Sequence, residues 1–183
     1  MKKAKLLWVD LEMTGLTPGV DKIIEIAAIA TDMDFHEYAR YESAVKIHPN
    51  LIRERMQGDF WERNAQTRAN LIAANLDGKP VAEVEQDLLK LVKDNFGSYV
   101  YLAGNSIHQD RKFIEKEMPE LNRKLHYRML DVSSWKIYFE NALNVFYKKP
   151  EDHRALSDIE GSIAELKYYL TYMSKTPLSQ EDA

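Results

Sequence analysis

An α/β fold built on a mixed five-stranded sheet is predicted by three observations. The first quarter of the chain holds three strand-like runs, rich in apolar and β-branched residues and separated by turn signals. From residue 60 onward, helical periodicity alternates with two further short apolar runs. The composition, 183 residues with 45% apolar and 30% charged side chains, suits a packed core and argues against a disordered chain. The resulting order, βββ-α-β-α-β-α, describes a three-stranded antiparallel meander plus further strands, flanked by helices.

The first strand is expected over residues 6–11, Leu6-Leu7-Trp8-Val9-Asp10-Leu11. Thr14 to Gly19 carries two glycines and a proline and reads as a loop. Residues 22–31 make a second strand, apolar except for Glu25 near its middle. A third strand is expected over 41–47, with Ala44, Val45 and Ile47 as its apolar members, ending before Pro49. Residues 60–75 and 81–96 read as helices. In the second, Val84, Leu88, Leu91 and Val92 recur three or four apart after Pro80. A fourth strand over 99–103 is broken by Gly104-Asn105-Ser106, and a helix follows over 111–116. A last strand over 127–130 leads into a helix from 132 to about 147. The final helix spans 155–173 with Ile159, Ile163, Leu166 and Leu170 on one face. No internal repeat and no Pro- or Gly-rich linker divides the chain, so residues 1–183 are expected to form a single domain, with about 175–183 a frayed tail.

Several function classes are excluded. With no cysteine there is no disulfide, iron–sulfur cluster, thiolate zinc site or cysteine nucleophile. No P-loop, G-x-G-x-x-G or Ser-His-Asp signature is present. The basic start, Met1 to Lys5, is followed by only four apolar residues, too short for a signal or membrane segment. A cytoplasmic protein without a membrane partner is expected.

Four carboxylates carry the chemical signal. Asp10 and Glu12 lie two apart on a strand, so both point to one face while Val9, Leu11 and Met13 point to the other. Two acids there repel each other, and a divalent cation between them relieves the repulsion. Asp110 follows a strand and a turn at the start of a helix, and Asp158 lies in the first turn of the last helix, five residues after His153. Each alone has an ordinary explanation: a solvated strand face, a helix cap, a surface histidine. Together they suit phosphoryl chemistry with two hard divalent ions, and a histidine titrating near neutrality to deprotonate the attacking water.

The motifs also resemble a known family. Trp8 to Leu16, with Asp10 and Glu12, resembles the first motif of the DEDD exonuclease superfamily in its oligoribonuclease form. Ala103 to Asp110 resembles the second motif, and His126-Tyr127-Arg128-Met129-Leu130-Asp131 resembles a segment distinctive of oligoribonucleases. His153 to Ile159 resembles the third, with the H-x-x-x-x-D spacing of the histidine subclass. The order is kept from about Leu6 to Tyr169. The resemblance implies an RNase H-like fold and 3′-to-5′ hydrolysis of very short RNA, dinucleotides especially, to nucleoside 5′-monophosphates. It implies that Asp10, Glu12, Asp110 and Asp158 hold two Mg²⁺ or Mn²⁺ ions and that His153 is the general base. Asp131 is expected to be structural.

The resemblance further implies that Leu16 and Trp61 wedge against the bases, that Ser106, His126 and Arg128 contact the terminal 5′-phosphate, and that Tyr127 reaches the partner active site of a homodimer. No protein cofactor is implied. Single-stranded RNA of two to five nucleotides is the expected partner, and stacking on aromatics suits it. Core packing is the competing explanation for Trp61. One departure stands out: Gln66 occupies the place of a family histidine, and Arg63 or Arg68 is the expected compensating cation. A DNA-trimming or proofreading exonuclease and a catalytically silent binding module are the rival readings. The net charge of −4 does not exclude RNA, because the four candidate ligands account for all of it. A protein that grips a few phosphates needs no long basic groove.

Overall fold

The sheet has the order β3-β2-β1-β4-β5, in a computed structural model that describes residues 4–148 and 154–173. β1 (Ala4–Met13) and β2 (Ile23–Thr31) pair antiparallel, as do β2 and β3 (Glu37–Ala44). β1 also pairs parallel with β4 (Phe96–Gly104), and β4 with β5 (Met129–Asp131). Five strands in a mixed sheet with a leading meander are what the sequence predicts.

The two central strands explain themselves. Every residue of β2 is buried, and apart from Glu25 and Thr31 it is apolar on both faces. On one face of the sheet Leu7, Val9, Ile26 and Leu102 pack with α4 (Val81–Asn95) and α5 (His108–Glu117). On the other, Leu6, Trp8, Ala27 and Ala103 meet α8 (Ala155–Leu170) and the start of α7 (Val132–Leu143). Trp8 is fully buried, and its indole N–H donates to Thr31 Oγ1 at 3.0 Å, so its polar edge is satisfied.

Several expectations shift. The third strand begins at Glu37 and ends at Ala44 rather than spanning 41–47. It is an edge strand with polar, part-exposed side chains, so it lacks the apolar run that marks a buried strand. Val45 N still donates to Ile24 O at 2.8 Å, but the chain then turns to Lys79, with Lys46 N donating to Lys79 O at 2.7 Å and Lys79 N to Ala44 O at 3.0 Å. Between β3 and the predicted helix lies an unpredicted helix, α1 (Pro49–Arg55), whose first turn His48 caps through Nδ1.

The helix expected over 60–75 is two helices, α2 (Asp59–Arg63) and α3 (Ala65–Asn75). Asn64 breaks it, at φ −107° and ψ 38°, with its side-chain amide donating to Phe60 O. A short α6 (Pro119–Asn122) follows α5. α7 stops at Leu143 rather than near 147, because Asn144 turns left-handed at φ 52° and closes the helix on Phe139 O. The strand expected over 127–130 is shorter and later, Met129–Asp131. α8 ends at Leu170, and the tail expected to fray lies outside the described residues.

Candidate active site

β1 outruns its parallel neighbour. Its pairing with β4 ends at Trp8↔Ala103, while β1 continues through Asp10 and Glu12. At Gly104 the two backbones touch: a Cβ there would lie 2.9 Å from Val9 O, so only glycine fits. The chain then turns through Ser106, left-handed at φ 48°, into α5. That turn brings Asp110, in the first turn of α5, back over β1, where its Oδ1 accepts from Leu11 N at 3.1 Å.

Asp10, Glu12 and Asp158 present carboxylate oxygens that all lie within 4.8 Å of one another. Asp158 arrives from the opposite direction, in the first turn of α8. Burial and the charges of Asp10, Asp158, Glu25 and Asp110 push the Glu12 carboxyl up to about 9. Burial and Asp10 likewise raise Asp110 well above the usual carboxylate range. A part-buried cluster of crowded, hard oxygen donors fits a divalent cation. These are the groups that would hold one.

Two supports were not singled out from sequence. Glu25 lies opposite Glu12 in the β1–β2 register, buried. Arg154 answers it, with Nη2 to Oε1 at 2.7 Å and Nε at 3.2 Å, and Ala155 N donates to its other oxygen. A lone acid inside an apolar strand was the available signal, since a buried charge demands a partner. Asp21, also buried, receives the Thr14 hydroxyl, Thr17 N and the Arg55 guanidinium, which holds its carboxyl below the usual range. This pins the loop after β1. Gly15 belongs to that loop because a Cβ would lie 2.6 Å from the Asp21 carboxylate.

The remaining predicted residues are distributed around this centre. Leu16 is 74% exposed and Trp61 5%. Both line a cavity of about 400 Å³ that Glu12 also borders. Trp61 packs with Ile24, Ile52, Met56 and Leu71, so core packing accounts for most of its surface. Phe60, half exposed, meets Trp61 edge-on at 5.0 Å and shares the cavity. The cation lining the cavity is Arg55. Gln66 bonds to Asn70 at 3.0 Å and does not line the cavity.

Ser106, His126, Tyr127 and Arg128 gather at the β4–β5 side. Ser106 N donates to Asp131 Oδ1 and Ser133 Oγ, and Asp131 caps α7, a structural part as expected. His126 Nδ1 accepts from Arg128 N. Tyr127 is 72% exposed, with its ring stacked on His126 at 4.5 Å and the Arg128 guanidinium over it at 5.2 Å. His153 lies outside the described residues. Among the described residues no helix is long and apolar enough to cross a membrane.

Comparison with known proteins agrees with this geometry. The exonuclease family model (RNase_T) matches residues 7–166. An oligoribonuclease of Thiobacillus denitrificans is 38% identical over 169 residues, covering 90% of this chain and 92% of that protein. One from Francisella tularensis is 41% identical over 170 residues, covering 90% and 93%. The chain belongs to the oligoribonuclease family of exonucleases. Its fold recurs in more distant exonucleases. Exonuclease I from Methylocaldum szegediense superposes with a TM-score of 0.63 at 16% identity over 93% of this chain. Escherichia coli exonuclease I in complex with a 5cy-dT13 oligonucleotide gives 0.65 at 14% over 93%. This oligoribonuclease-family chain spans 41% of the length of each.

Proposed function

We propose that the chain is a metal-dependent 3′-to-5′ exoribonuclease that hydrolyses very short RNA, dinucleotides especially, to nucleoside 5′-monophosphates. The observation that carries this reading is the convergence of Asp10, Glu12 and Asp158 within 4.8 Å, with Asp110 beside them on α5. Two Mg²⁺ or Mn²⁺ ions held there would stabilise charge on the attacking and leaving oxygens. Asp10 and Glu12 face the scissile phosphate from β1, while Asp110 and Asp158 approach from two helices. His153 takes the proton from the attacking water as general base. Arg154, the next residue, is tied to Glu25, which anchors the chain directly after that base.

Length selection follows from the ends of the groove. Ser106, His126 and Arg128 receive a terminal 5′-phosphate through charge-assisted bonds, which an internal phosphodiester at that place cannot reproduce. Tyr127, on the exposed β4–β5 side, suits contact with a second copy, and we infer a homodimer acting in the cytoplasm on RNA of two to five nucleotides.

Turnover of pApA, a longer 5′-phosphorylated RNA and single-stranded DNA in Mg²⁺ tests this reading. Fast hydrolysis of pApA with a steep fall over two to five nucleotides is expected. Equal rates on long DNA would instead support a DNA-trimming nuclease, a reading the fold likeness to exonuclease I keeps in view. Binding without hydrolysis would support a silent module.

A further inference from the structure

We propose that Arg55 reads the 3′-terminal base of the substrate and favours guanine over adenine and uracil there. The inference rests on the dinucleotide reading above and names a specificity that reading leaves open.

The cavity beside Glu12 lies on the β2 side of β1, with Trp61 from α2 packed on Ile24. The residues assigned to the 5′-phosphate lie on the other side of β1, at β4 and β5. With the scissile phosphate at Asp10 and Glu12, the nucleotide that reaches the cavity is the 3′-terminal one. Leu16 and Phe60 supply apolar walls for a flat ring. Arg55 is the cation among the lining residues.

Arg55 is not a loose surface chain. Its Nε lies 2.7 Å from Asp21 Oδ1 and its Nη2 3.2 Å from Oδ2. Asp21 is itself buried and further held by Thr14 and Thr17 N, so the guanidinium is clamped in one plane. A guanidinium has five N–H donors. Two go to Asp21, which leaves three in the same fixed plane. Such a fork matches two neighbouring acceptors. Guanine presents them as O6 and N7 and an unpaired cytosine as O2 and N3, whereas adenine sets a donor beside its N7 and uracil separates its two carbonyls by an N–H. A lysine in the same place would keep the charge for Asp21 and lose the fork.

The test is kcat/KM for pApG, pApA, pApC and pApU, with pGpA as a positional control, in the intact protein and in Arg55→Lys. The intact protein is expected to favour pApG over pApA and pApU by about tenfold, the low end of what a bidentate pair discriminates. It should show no such gain for pGpA over pApA. In Arg55→Lys the ratio of pApG to pApA is expected to fall below about twofold. A purely structural Arg55 would shift all substrates together and leave that ratio unmoved. Rates within twofold across the four substrates in the intact protein, or a preference that survives in Arg55→Lys, would overturn the proposal while leaving dinucleotide hydrolysis standing. No hydrolysis of any dinucleotide would overturn both.

Discussion

Arg154 closes on Glu25 with Nη2 to Oε1 at 2.7 Å, joining the N-terminus of α8 to the strand opposite Glu12. The pair links the start of the helix that carries Asp158 to the strand next to the one that carries Asp10 and Glu12. Glu25 is buried while Arg154 is part-exposed, so the carboxylate is the member that cannot be left alone. Arg154→Ala should therefore cost about 2 kcal/mol, below the range for fully buried pairs because solvent reaches the guanidinium. Urea unfolding gives the number. A cost under about 0.5 kcal/mol would place the pair with ordinary surface bridges.

Asp10→Asn removes one donor of the cluster and one source of repulsion. Hydrolysis of pApA should fall roughly a hundredfold or more. In EDTA the variant should melt higher than the parent, by about 2–4 °C for each 1 kcal/mol of repulsion relieved. Mg²⁺ should raise the melting temperature of the parent more than that of the variant, because an ion that binds only the folded state stabilises it by mass action. Equal Mg²⁺ shifts in both proteins would remove Asp10 from the ligand set.

Glu12 gives the metal-free protein a pH dependence of definite sign. Its folded carboxyl is raised from 4.5 to about 9. Between these values the folded state binds the proton that the unfolded state has released, so stability is lost as pH rises. In EDTA the urea midpoint should decline from about pH 5 toward pH 9, and Glu12→Gln should flatten that decline. An unchanged slope in Glu12→Gln would assign the dependence to another group.

His153→Ala should lower kcat by about 10²–10⁴-fold, the usual contribution of a general base. Dinucleotide affinity, measured in Ca²⁺ by fluorescence, should stay within about threefold. A large loss of affinity with normal turnover would contradict the base assignment.

Trp61→Ala bears on packing more than on the substrate. The indole is buried against Ile24, Ile52, Met56 and Leu71. The loss should be about 3–5 kcal/mol by urea unfolding. Stability near that of the parent with weakened dinucleotide binding would restore the wedge role expected from the resemblance.

Much of this protein was legible before any coordinates. The five strands, their succession along the chain, a helix beginning next to Asp110 and the helix carrying Asp158 follow from local patterns, because periodicity and breakers act over a few residues. Asp10 and Glu12 declare their shared face by a spacing of two. The family motifs then assemble four acids that no single pattern joins. The edge strand β3 and the break at Asn64 were misplaced for the opposite reason. A half-solvated strand has little apolar signal, and a side-chain bond to Phe60 O interrupts a helix without glycine or proline.

Tertiary structure decided the rest. Glu25 finds its partner 129 positions away at Arg154, and Asp21 finds Arg55 34 positions away. No local pattern encodes such pairs, because a buried carboxylate requires a partner but does not say which cation the fold will deliver. The same holds for the cavity. Four arginines lie near Trp61 in the sequence, Arg53, Arg55, Arg63 and Arg68, and only the folding of α1 against the loop after β1 puts Arg55 on the cavity. The sequence by itself determined which chemical groups are present and at what spacing. The packing of helices on the sheet determined which of them meet.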